Sequence, residues 1–316
     1  MTISNQTKEL IVSAMLADMQ ERGKSQNEYA KYISVMLGIA LDKTAMSMIK
    51  NPEKRNAIKE SSWLRLGKHF NIFGASQWNT AKTSAYISVQ AGLDLCRENG
   101  IWQVLCDKAG IGKTYAAVEY ADANKGNVFY IDCSDCQSKS DFILELARQL
   151  GLEYNSTYTR LWRNIQEELL LIEKPLLILD EFGDVAESVI TLVKGLYNKA
   201  NMGDYIAVGC YFIGADNLRQ RMINGRKRNK QSYAEFWSRF DNQINSLNFD
   251  SKPDNFRVQL QREIEAIVDR NLPDNIADAR TTIIEKCLKT GGVRSIRKEI
   301  ALQLKIKEMK TKTAKQ

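Results

Sequence analysis

The residues of this sequence best suited to chemistry form a glycine-containing run that ends in a lysine and a threonine. The run and the residue after it are Asp107, Lys108, Ala109, Gly110, Ile111, Gly112, Lys113, Thr114 and Tyr115. An apolar stretch that predicts a strand precedes the run and a helical pattern follows it, as in phosphate-binding loops. Backbone amides at a helix start can surround phosphates, Lys113 would reach the β- and γ-phosphates, and the Thr114 hydroxyl would ligate Mg²⁺. These residue types predict a site for a nucleoside triphosphate.

The run departs from the usual pattern of such loops at its first position. Glycine is usual there, whereas this sequence has Asp107. A carboxylate at the entrance of the loop would either weaken phosphate binding or point outward, and the sequence leaves both alternatives open.

Two adjacent carboxylates are the expected partners of this loop. Residues 175–179 form an apolar run of strand length, and Asp180 and Glu181 follow it directly, about 65 residues after Lys113. In nucleoside triphosphatases an aspartate of this kind holds Mg²⁺, and a second polar group orients the attacking water. We therefore assign Asp180, with Thr114, to the metal and Glu181 to the water.

Two further positions could contact the γ-phosphate. Residues 206–213 predict a strand, and a polar side chain beyond its end would sense that phosphate; Asn217 is the first candidate and Asp216 the second. Arg239 could enter the nucleotide site of a neighbouring subunit, and such an arginine finger contributes roughly 10³–10⁵ in rate. The rival arginines for this role are Arg219, Arg226 and Arg228.

The order of predicted elements divides the chain into segments 1–72, 73–99, 100–250 and 251–316. The first reads as short helices, and the second as a linker, including residues 74–77, followed by a lead-in helix over 82–97. The third alternates apolar runs with helical patterns, which predicts a parallel α/β sheet. The fourth is predicted to be helical with a basic tail. In the third segment, strands are predicted over 101–105, 128–133, 176–179 and 206–213, and helices over 115–123, 142–150, 161–172 and 189–198.

The motifs together resemble an AAA+ ATPase over residues 100–305. The resemblance implies a P-loop α/β core with a parallel sheet, a small C-terminal helical lid, and ATP and Mg²⁺ as cofactors. The run from Gly291 and Gly292 to Arg297 resembles the sensor-2 helix of an AAA+ lid, and Arg294 would touch the nucleotide from above.

Residues 23–51 resemble a helix-turn-helix of the lambda-repressor type. Ser25 and Glu28 form a capping-box pattern at the start of the first helix, and Gly38 ends it. Asp42 can cap a second helix over 43–50, whose side chains for a DNA groove would be Lys43, Thr44 and Ser47. The turn is longer than usual for this motif, and a three-helix protein-interaction module is the alternative.

An N-terminal helix-turn-helix joined to an AAA+ module resembles the family of the phage Mu B transposition protein. The resemblance implies a homo-oligomer that assembles on ATP binding into filaments on double-stranded DNA with little sequence preference. It also implies that the protein captures target DNA and stimulates a transposase. A basic cluster whose spacing fits a loop could contact DNA phosphates in such a filament; it comprises Arg226, Lys227, Arg228 and Lys230.

Composition and charge limit the classes of function. The 316 residues are 44% hydrophobic and 26% charged, which excludes wholesale disorder and fibres. No apolar run approaches the roughly 20 residues of a membrane span, so we expect no membrane partner and a cytoplasmic protein, associated with the nucleoid in a bacterial or phage context. Residues 1–80 contain 11 Lys and Arg against 7 Asp and Glu, and residues 294–316 contain 8 against 2. These basic ends favour a polyanionic partner weakly, and solvated helix ends are the alternative.

Cysteine and histidine usage argues against two other kinds of site. Cys133 and Cys136 are the one Cys-x-x-Cys pair, and the single histidine, His69, lies far from them in sequence. A zinc site or a nucleophile–histidine mechanism therefore lacks partners, and we expect buried, reduced thiols.

Three other functions fit the same sequence. A replication helper, similar to helicase-loading AAA+ proteins, would bind DNA weakly alone and act on a protein partner. A slow nucleotide-dependent switch would bind nucleotide with hardly any turnover. A transcriptional repressor would need a defined operator and would leave the nucleotide site without a role.

Overall fold

The computed structural model describes residues 3–73, 78–136, 138–200, 208–247 and 253–313. The predicted linker residues 74–77 and the first two residues of the predicted strand over 206–213 lie outside these ranges. The strands are β1 (Trp102–Cys106), β2 (Val128–Asp132), β3 (Leu176–Asp180) and β4 (Gly209–Gly214). The α-helices are α1 (Asn5–Glu21), α2 (Gln26–Leu37), α3 (Lys43–Met48), α4 (Glu60–His69), α5 (Ser84–Asn99), α6 (Lys113–Ala123), α7 (Lys139–Leu150), α8 (Tyr158–Leu171), α9 (Glu187–Ala200), α10 (Asp216–Lys227), α11 (Tyr233–Ser238), α12 (Pro253–Asn271), α13 (Arg280–Lys289) and α14 (Ile296–Thr313).

The four N-terminal helices enclose a core of their own, in which Trp63 and Leu66 are fully buried. The predicted capping box of Ser25 and Glu28 opens α2, and Gly38 ends that helix at a φ of 59°. This confirms that the N-terminal region is helical and that a helix, α2, begins after Ser25 and ends at Gly38, as predicted.

The second predicted helix of this region is shorter than expected. Asp42 caps α3 through the amide of Ala45, at 2.7 Å, as predicted. However, α3 ends at Met48 rather than at residue 50, because Asn51 caps a separate 3-10 segment that begins at Pro52.

The central sheet is parallel, with the strand order β1-β4-β3-β2. Every residue of β3 and β4 is buried, as expected where helices cover both faces of a parallel sheet. On the free side of β1, Asn245 forms an isolated parallel bridge with Leu105 of that strand. Because the strands are parallel, their carboxyl ends share one edge of the sheet. The glycine-containing run of residues 107–114, named the phosphate loop after its predicted role, and the Asp180–Glu181 pair both lie at that edge.

Helices cover the two faces of the sheet with separate apolar cores. One core joins α5 and α6 to the sheet and includes Val89 and Ala117. The other joins α7, α8, α9 and α11 to the sheet and includes Phe142, Phe212 and Phe236. All six cysteines are buried free thiols, as predicted.

The segment after β4 is helical where the sequence indicates a turn and a loop. Asp216 and Asn217 form the first turn of α10, and Arg226 and Lys227 lie in its last turn rather than in a loop. The helix is difficult to predict because only three spaced residues form its buried face: Leu218, Met222 and Gly225.

The C-terminal helices α12 to α14 form a lid with its own core. The buried Glu263 carboxylate of α12 accepts hydrogen bonds from the amide of Ser84, at 2.9 Å, and from its hydroxyl. Asn79 and Asn271 also exchange hydrogen bonds, at 2.7 and 2.9 Å. These contacts fasten the lid to the segment that begins α5.

The N-terminal helices pack against α7 and the end of α6. Arg148 of α7 donates to the carbonyl oxygen of Met36, in the last turn of α2, at 2.9 Å. The Lys125 ammonium lies 3.8 Å from the buried Asp18 carboxylate. In the described part of the chain, none of the helices combines the length and apolarity that crossing a bilayer requires.

Candidate functional site

The glycine-containing run forms the connection between β1 and α6. Gly110 and Gly112 have φ values of 81° and 97°, a region that glycine adopts without a steric penalty. Gly112 is the N-cap residue of α6, so the unpaired amides of the first helical turn face the loop. This geometry suits an anion at the helix start.

The Lys113 side chain lies inside the loop. Its ammonium donates hydrogen bonds to the carbonyl oxygens of Asp107, at 2.7 Å, and of Lys108, at 2.8 Å. Burial lowers the pKa of Lys113, and the neighbouring carboxylates of Asp107, Asp180 and Glu181 oppose that shift. The ammonium therefore lies where loop, strand end and helix start converge.

The Asp107 carboxylate is engaged away from the inside of the loop. One oxygen accepts the amide hydrogen of Leu247 at 2.8 Å, and the other accepts the amide hydrogen of Lys108 at 2.7 Å. The first of these bonds ties the loop to the chain segment that bridges the outer side of β1. Of the two alternatives for this unusual residue, the geometry corresponds to the outward-pointing one.

The two predicted carboxylates lie at the carboxyl end of β3, close to Lys113. Asp180 is 2% exposed and accepts hydrogen bonds from the Tyr130 hydroxyl, at 3.0 Å, and from the Glu181 amide, at 2.9 Å. Glu181 adopts a φ of 50° and is partly exposed. Burial raises the pKa of Glu181, and the charges of Asp180 and Asp184 add to that effect.

A cavity of about 540 Å³ joins the loop to the lid. From the predicted set it is lined by residues 109–115, Glu181 and Arg294. Its remaining walls were not predicted: they include Trp78, Tyr86 and Val118 on one side, and Ile267, Val293 and Arg297 from the lid. The cavity is within the size range of nucleotide and drug-sized ligands.

Arg297 is a functional candidate that the sequence analysis passed over in favour of Arg294. Its guanidinium lies 4.8 Å from the centre of the Trp78 ring. The pair closes the cavity between the lid, which carries Arg297, and the segment before α5, which carries Trp78. Both arginines line the cavity. The signal that could have indicated Arg297 is its spacing of three residues from Arg294, which places both on one side of a helical turn.

The two γ-phosphate candidates after β4 lie beside the cavity rather than in its lining. Ala215 lines it, whereas the Asn217 side chain donates to the Asp184 carboxylate at 2.9 Å. Asp216 is exposed in the first turn of α10. Arg219, a rival for the finger role, donates to the carbonyl oxygen of Cys106 at 2.7 Å.

Arg239 is far from the loop within its own chain. Its guanidinium lies 4.5 Å from the centre of the Tyr197 ring and donates to Asn198 at 2.8 Å. The side chain lines a second cavity, of about 250 Å³, together with Ile101 and Trp102 at the amino end of β1. That edge of the sheet is opposite the phosphate loop, so Arg239 does not reach the cavity beside that loop in its own chain.

The predicted groove-contacting side chains on α3 are exposed; these are Lys43, Thr44 and Ser47. Gln26 of α2 contacts the first residue of this short helix and a residue just beyond its end: it donates to the Lys43 carbonyl oxygen at 3.1 Å and accepts from the Lys50 ammonium at 3.0 Å. The helix is therefore held against α2 while its polar face is open.

The basic cluster at the end of α10 is exposed, but two of its cations contact other side chains. Lys230 forms an ion pair with Glu187 at 2.8 Å, and the Arg226 guanidinium lies 5.5 Å from the Trp237 ring. Among the described residues, Lys227 and Arg228 have no ion-pair partner. Three of the four predicted phosphate-contacting cations, Arg226, Lys227 and Arg228, thus have no carboxylate partner in this part of the chain.

Comparisons with known proteins show a similarity of the central segment to one protein family. Residues 103–222 match a protein-family model described as an AAA domain. No curated protein matches the chain in sequence. Among solved structures, the chain is similar to the crystal structure of Cdc6p from Pyrobaculum aerophilum, with 14% sequence identity and a TM-score of 0.45. That similarity covers 63% of this chain and 53%, or about half, of the Cdc6p chain.

The matched segment contains the part of the site that the central sheet supplies. It begins in β1 and ends in α10, so it contains the phosphate loop, the Asp180–Glu181 pair and the end of β4. The segment that matches the AAA-domain model thus lies within an AAA+ fold, between an N-terminal helical region and a C-terminal lid of helices.

Proposed function

We propose that this protein is an ATP-dependent, DNA-binding AAA+ ATPase that assembles on DNA and stimulates a transposase. The observation that carries the nucleotide part is the cavity in which the phosphate loop, Glu181 and two lid arginines face one another. The exposed polar side chains of α3 and the cations of the cluster at the end of α10 support the DNA part, together with the resemblance to the Mu B family.

Phosphate binding would use the loop and the lid from opposite sides. Lys113 would exchange its two carbonyl acceptors for charged phosphate oxygens, which form stronger hydrogen bonds. The amides at the start of α6 would hold the same phosphates. Arg294 and Arg297 would add positive charge from the lid, so that nucleotide binding draws the lid and core together.

The oxygen ligands offered by the start of α6 and the carboxyl end of β3 fit Mg²⁺. Thr114 and Asp180 offer a hydroxyl and a carboxylate, which are the oxygen ligands that Mg²⁺ accepts alongside phosphates and water. When bound, Mg²⁺ neutralises phosphate charge. Tyr130 and the Glu181 amide hold the Asp180 carboxylate in place for this role.

Hydrolysis would depend on Glu181 and on a second subunit. Glu181 lines the cavity beside Asp180, where it would accept a hydrogen bond from the attacking water and orient it. Arg239 lies at the other edge of the sheet, so it would act only on the nucleotide of an adjacent protomer. Hydrolysis would then require the oligomer, and ATP binding would favour the assembled, DNA-bound state.

The nucleotide base would lie against the apolar walls supplied by the lead-in segment and the lid. Trp78, Tyr86 and Ile267 present an aromatic and aliphatic surface of the kind that encloses purines. The phosphates would then point towards Gly112.

The experiment that tests this function measures binding to a long duplex of arbitrary sequence with ATP and Mg²⁺, and with EDTA, across a salt series. We expect binding that needs ATP, tolerates any sequence and weakens steeply with salt, because cations that contact phosphates release counterions. Lys113→Ala should abolish the ATP-dependent binding. Lys139→Ala, which removes an exposed lysine of α7, is the matched control and should bind as the unsubstituted protein does.

The outcomes separate the alternatives. DNA binding that is absent, or indifferent to ATP, would contradict assembly on DNA and favour a replication helper that acts on a protein partner. Unchanged ATP binding by Lys113→Ala would contradict the assignment of the phosphate loop itself. ATP-dependent DNA binding without turnover would indicate a nucleotide switch. Addition of a transposase to the DNA-bound protein then tests stimulation of strand transfer.

A further inference from the structure

Tyr130 lies on β2, next to the strand that carries the metal-site carboxylate. It is paired with Ile178 of β3, two residues before Asp180, so its side chain and that of Asp180 lie on the same face of the sheet. Tyr130 is partly buried, and it packs against the apolar core on the α5 and α6 side. Its hydroxyl donates to Asp180 Oδ2 at 3.0 Å.

This hydrogen bond fixes one of the two oxygens of a carboxylate that is almost fully buried. The other oxygen, Oδ1, accepts the amide hydrogen of Glu181 at 2.9 Å. A carboxylate has about four lone-pair sites, so both oxygens keep acceptor capacity for a metal-bound water or for Mg²⁺ itself. Among the described residues, Tyr130 provides the side-chain donor to Asp180, and no other side chain there orients that carboxylate.

We propose that Tyr130 is a positioning residue that orients the Asp180 carboxylate for Mg²⁺ at the nucleotide site. The proposal rests on the proposed nucleotide function and deepens it. Partners that hold a metal-ligating carboxylate in one orientation commonly contribute about 10–100-fold to metal affinity. Tyr130 does not touch the nucleotide cavity, since it is not part of that lining, so its effect should act through Asp180 alone.

The test is the substitution Tyr130→Phe, which removes the hydroxyl and keeps the ring. Tyr120→Phe is the matched control, because it also removes a tyrosine–aspartate hydrogen bond that is partly buried, from Tyr120 to Asp94 at 2.6 Å, outside the cavity. Binding of a fluorescent ATP analogue is measured while Mg²⁺ is titrated, and again in EDTA. Thermal unfolding of both variants is recorded alongside.

For Tyr130→Phe we expect the half-saturating Mg²⁺ concentration to rise about tenfold, while ATP affinity in EDTA stays unchanged. For Tyr120→Phe we expect neither value to move. Equal Mg²⁺ shifts in the two variants, no shift in either, or an equal loss of affinity in EDTA and in Mg²⁺ would each overturn the inference. Absence of nucleotide binding by the unsubstituted protein would overturn the proposed function as well, whereas binding without a shift would overturn the inference alone.

Discussion

The backbones of Gly110 and Gly292 meet where the phosphate loop touches the lid. A Cβ placed on Gly292 would lie 3.2 Å from the Gly110 carbonyl oxygen, and one on Gly110 would lie 3.0 Å from the Gly291 carbonyl oxygen. The lid therefore rests on the loop through main-chain atoms, at a spacing that side chains would widen. Because Val293 and Arg294 follow this contact directly, it fixes how the lid faces the cavity.

Gly292→Ala should weaken nucleotide binding about 5–10-fold, the equivalent of roughly 1 kcal/mol of strain at the contact. Gly23→Ala is the control, because Gly23 has nearly the same φ, 60° against 62°, with nothing within 4 Å of its added Cβ. Both variants should lose about 1 kcal/mol of folding free energy from the left-handed backbone. Equal nucleotide affinities in the two variants would contradict a role for the contact.

Glu181→Gln should lower the hydrolysis rate by about 10²–10⁴-fold while nucleotide binding persists. Burial and the charge of Asp180 raise the pKa of Glu181, and the carboxylate is the form that orients water. The rate of the unsubstituted protein should therefore fall on acidification at a higher pH than an exposed glutamate would produce. Single-turnover rates across pH check this, and an unchanged acid limb in the Gln variant would assign that limb to another group.

Arg239→Ala should bind ATP normally and lose roughly 10³-fold or more in hydrolysis, as expected for an arginine finger. Mixing it with Lys113→Ala protein provides the sharper measurement. Each variant alone should be inactive, whereas mixed oligomers should recover activity where a Lys113→Ala chain offers Arg239 to an ATP-bound neighbour. If the mixture assembles normally but recovers no activity, the finger role of Arg239 would be contradicted. One of the rivals Arg219, Arg226 and Arg228 would then be tested in the same way.

Glu263→Ala should lower the free energy of unfolding by about 1–3 kcal/mol, because the amide and hydroxyl of Ser84 lose a buried acceptor. Glu265→Ala, on the same helix but less buried, should change stability by no more than about 0.5 kcal/mol. Chemical denaturation of both variants provides the comparison. Similar losses in the two would mean that the lid is held mainly by other contacts.

The sequence predicts the helix caps and strands of this fold well, because these features depend on residues that are close together in the chain. The caps at Ser25 and Asp42 and the four parallel strands follow from side-chain type and short-range spacing. The helix α10 was missed, since its buried face has few apolar residues and most of the segment is polar or charged. Short-range patterns therefore predict elements best where one face is continuously apolar.

The phosphate loop and the Asp180–Glu181 pair could also be located from sequence, since each follows a recognisable strand. The residues that contact the loop and complete the cavity could not be located from sequence. The acceptor role of Asp107 depends on an amide 140 residues away, at Leu247. Trp78 and Arg297 become walls of one cavity only when the lid folds over the core. Such contacts are set by tertiary packing, which leaves no spacing signal in a single sequence.

The contact between Trp78 and Arg297 also bears on how much of the chain a functional fragment must contain. The segment that matches the AAA domain, residues 103–222, holds the phosphate loop but neither of these two residues. It also omits Leu247, which holds the Asp107 carboxylate. A fragment limited to the matched segment would therefore lack the Trp78–Arg297 wall of the cavity and the hydrogen bond from Leu247 to the Asp107 carboxylate. The shortest stretch expected to hold a nucleotide begins by residue 78 and continues past residue 297.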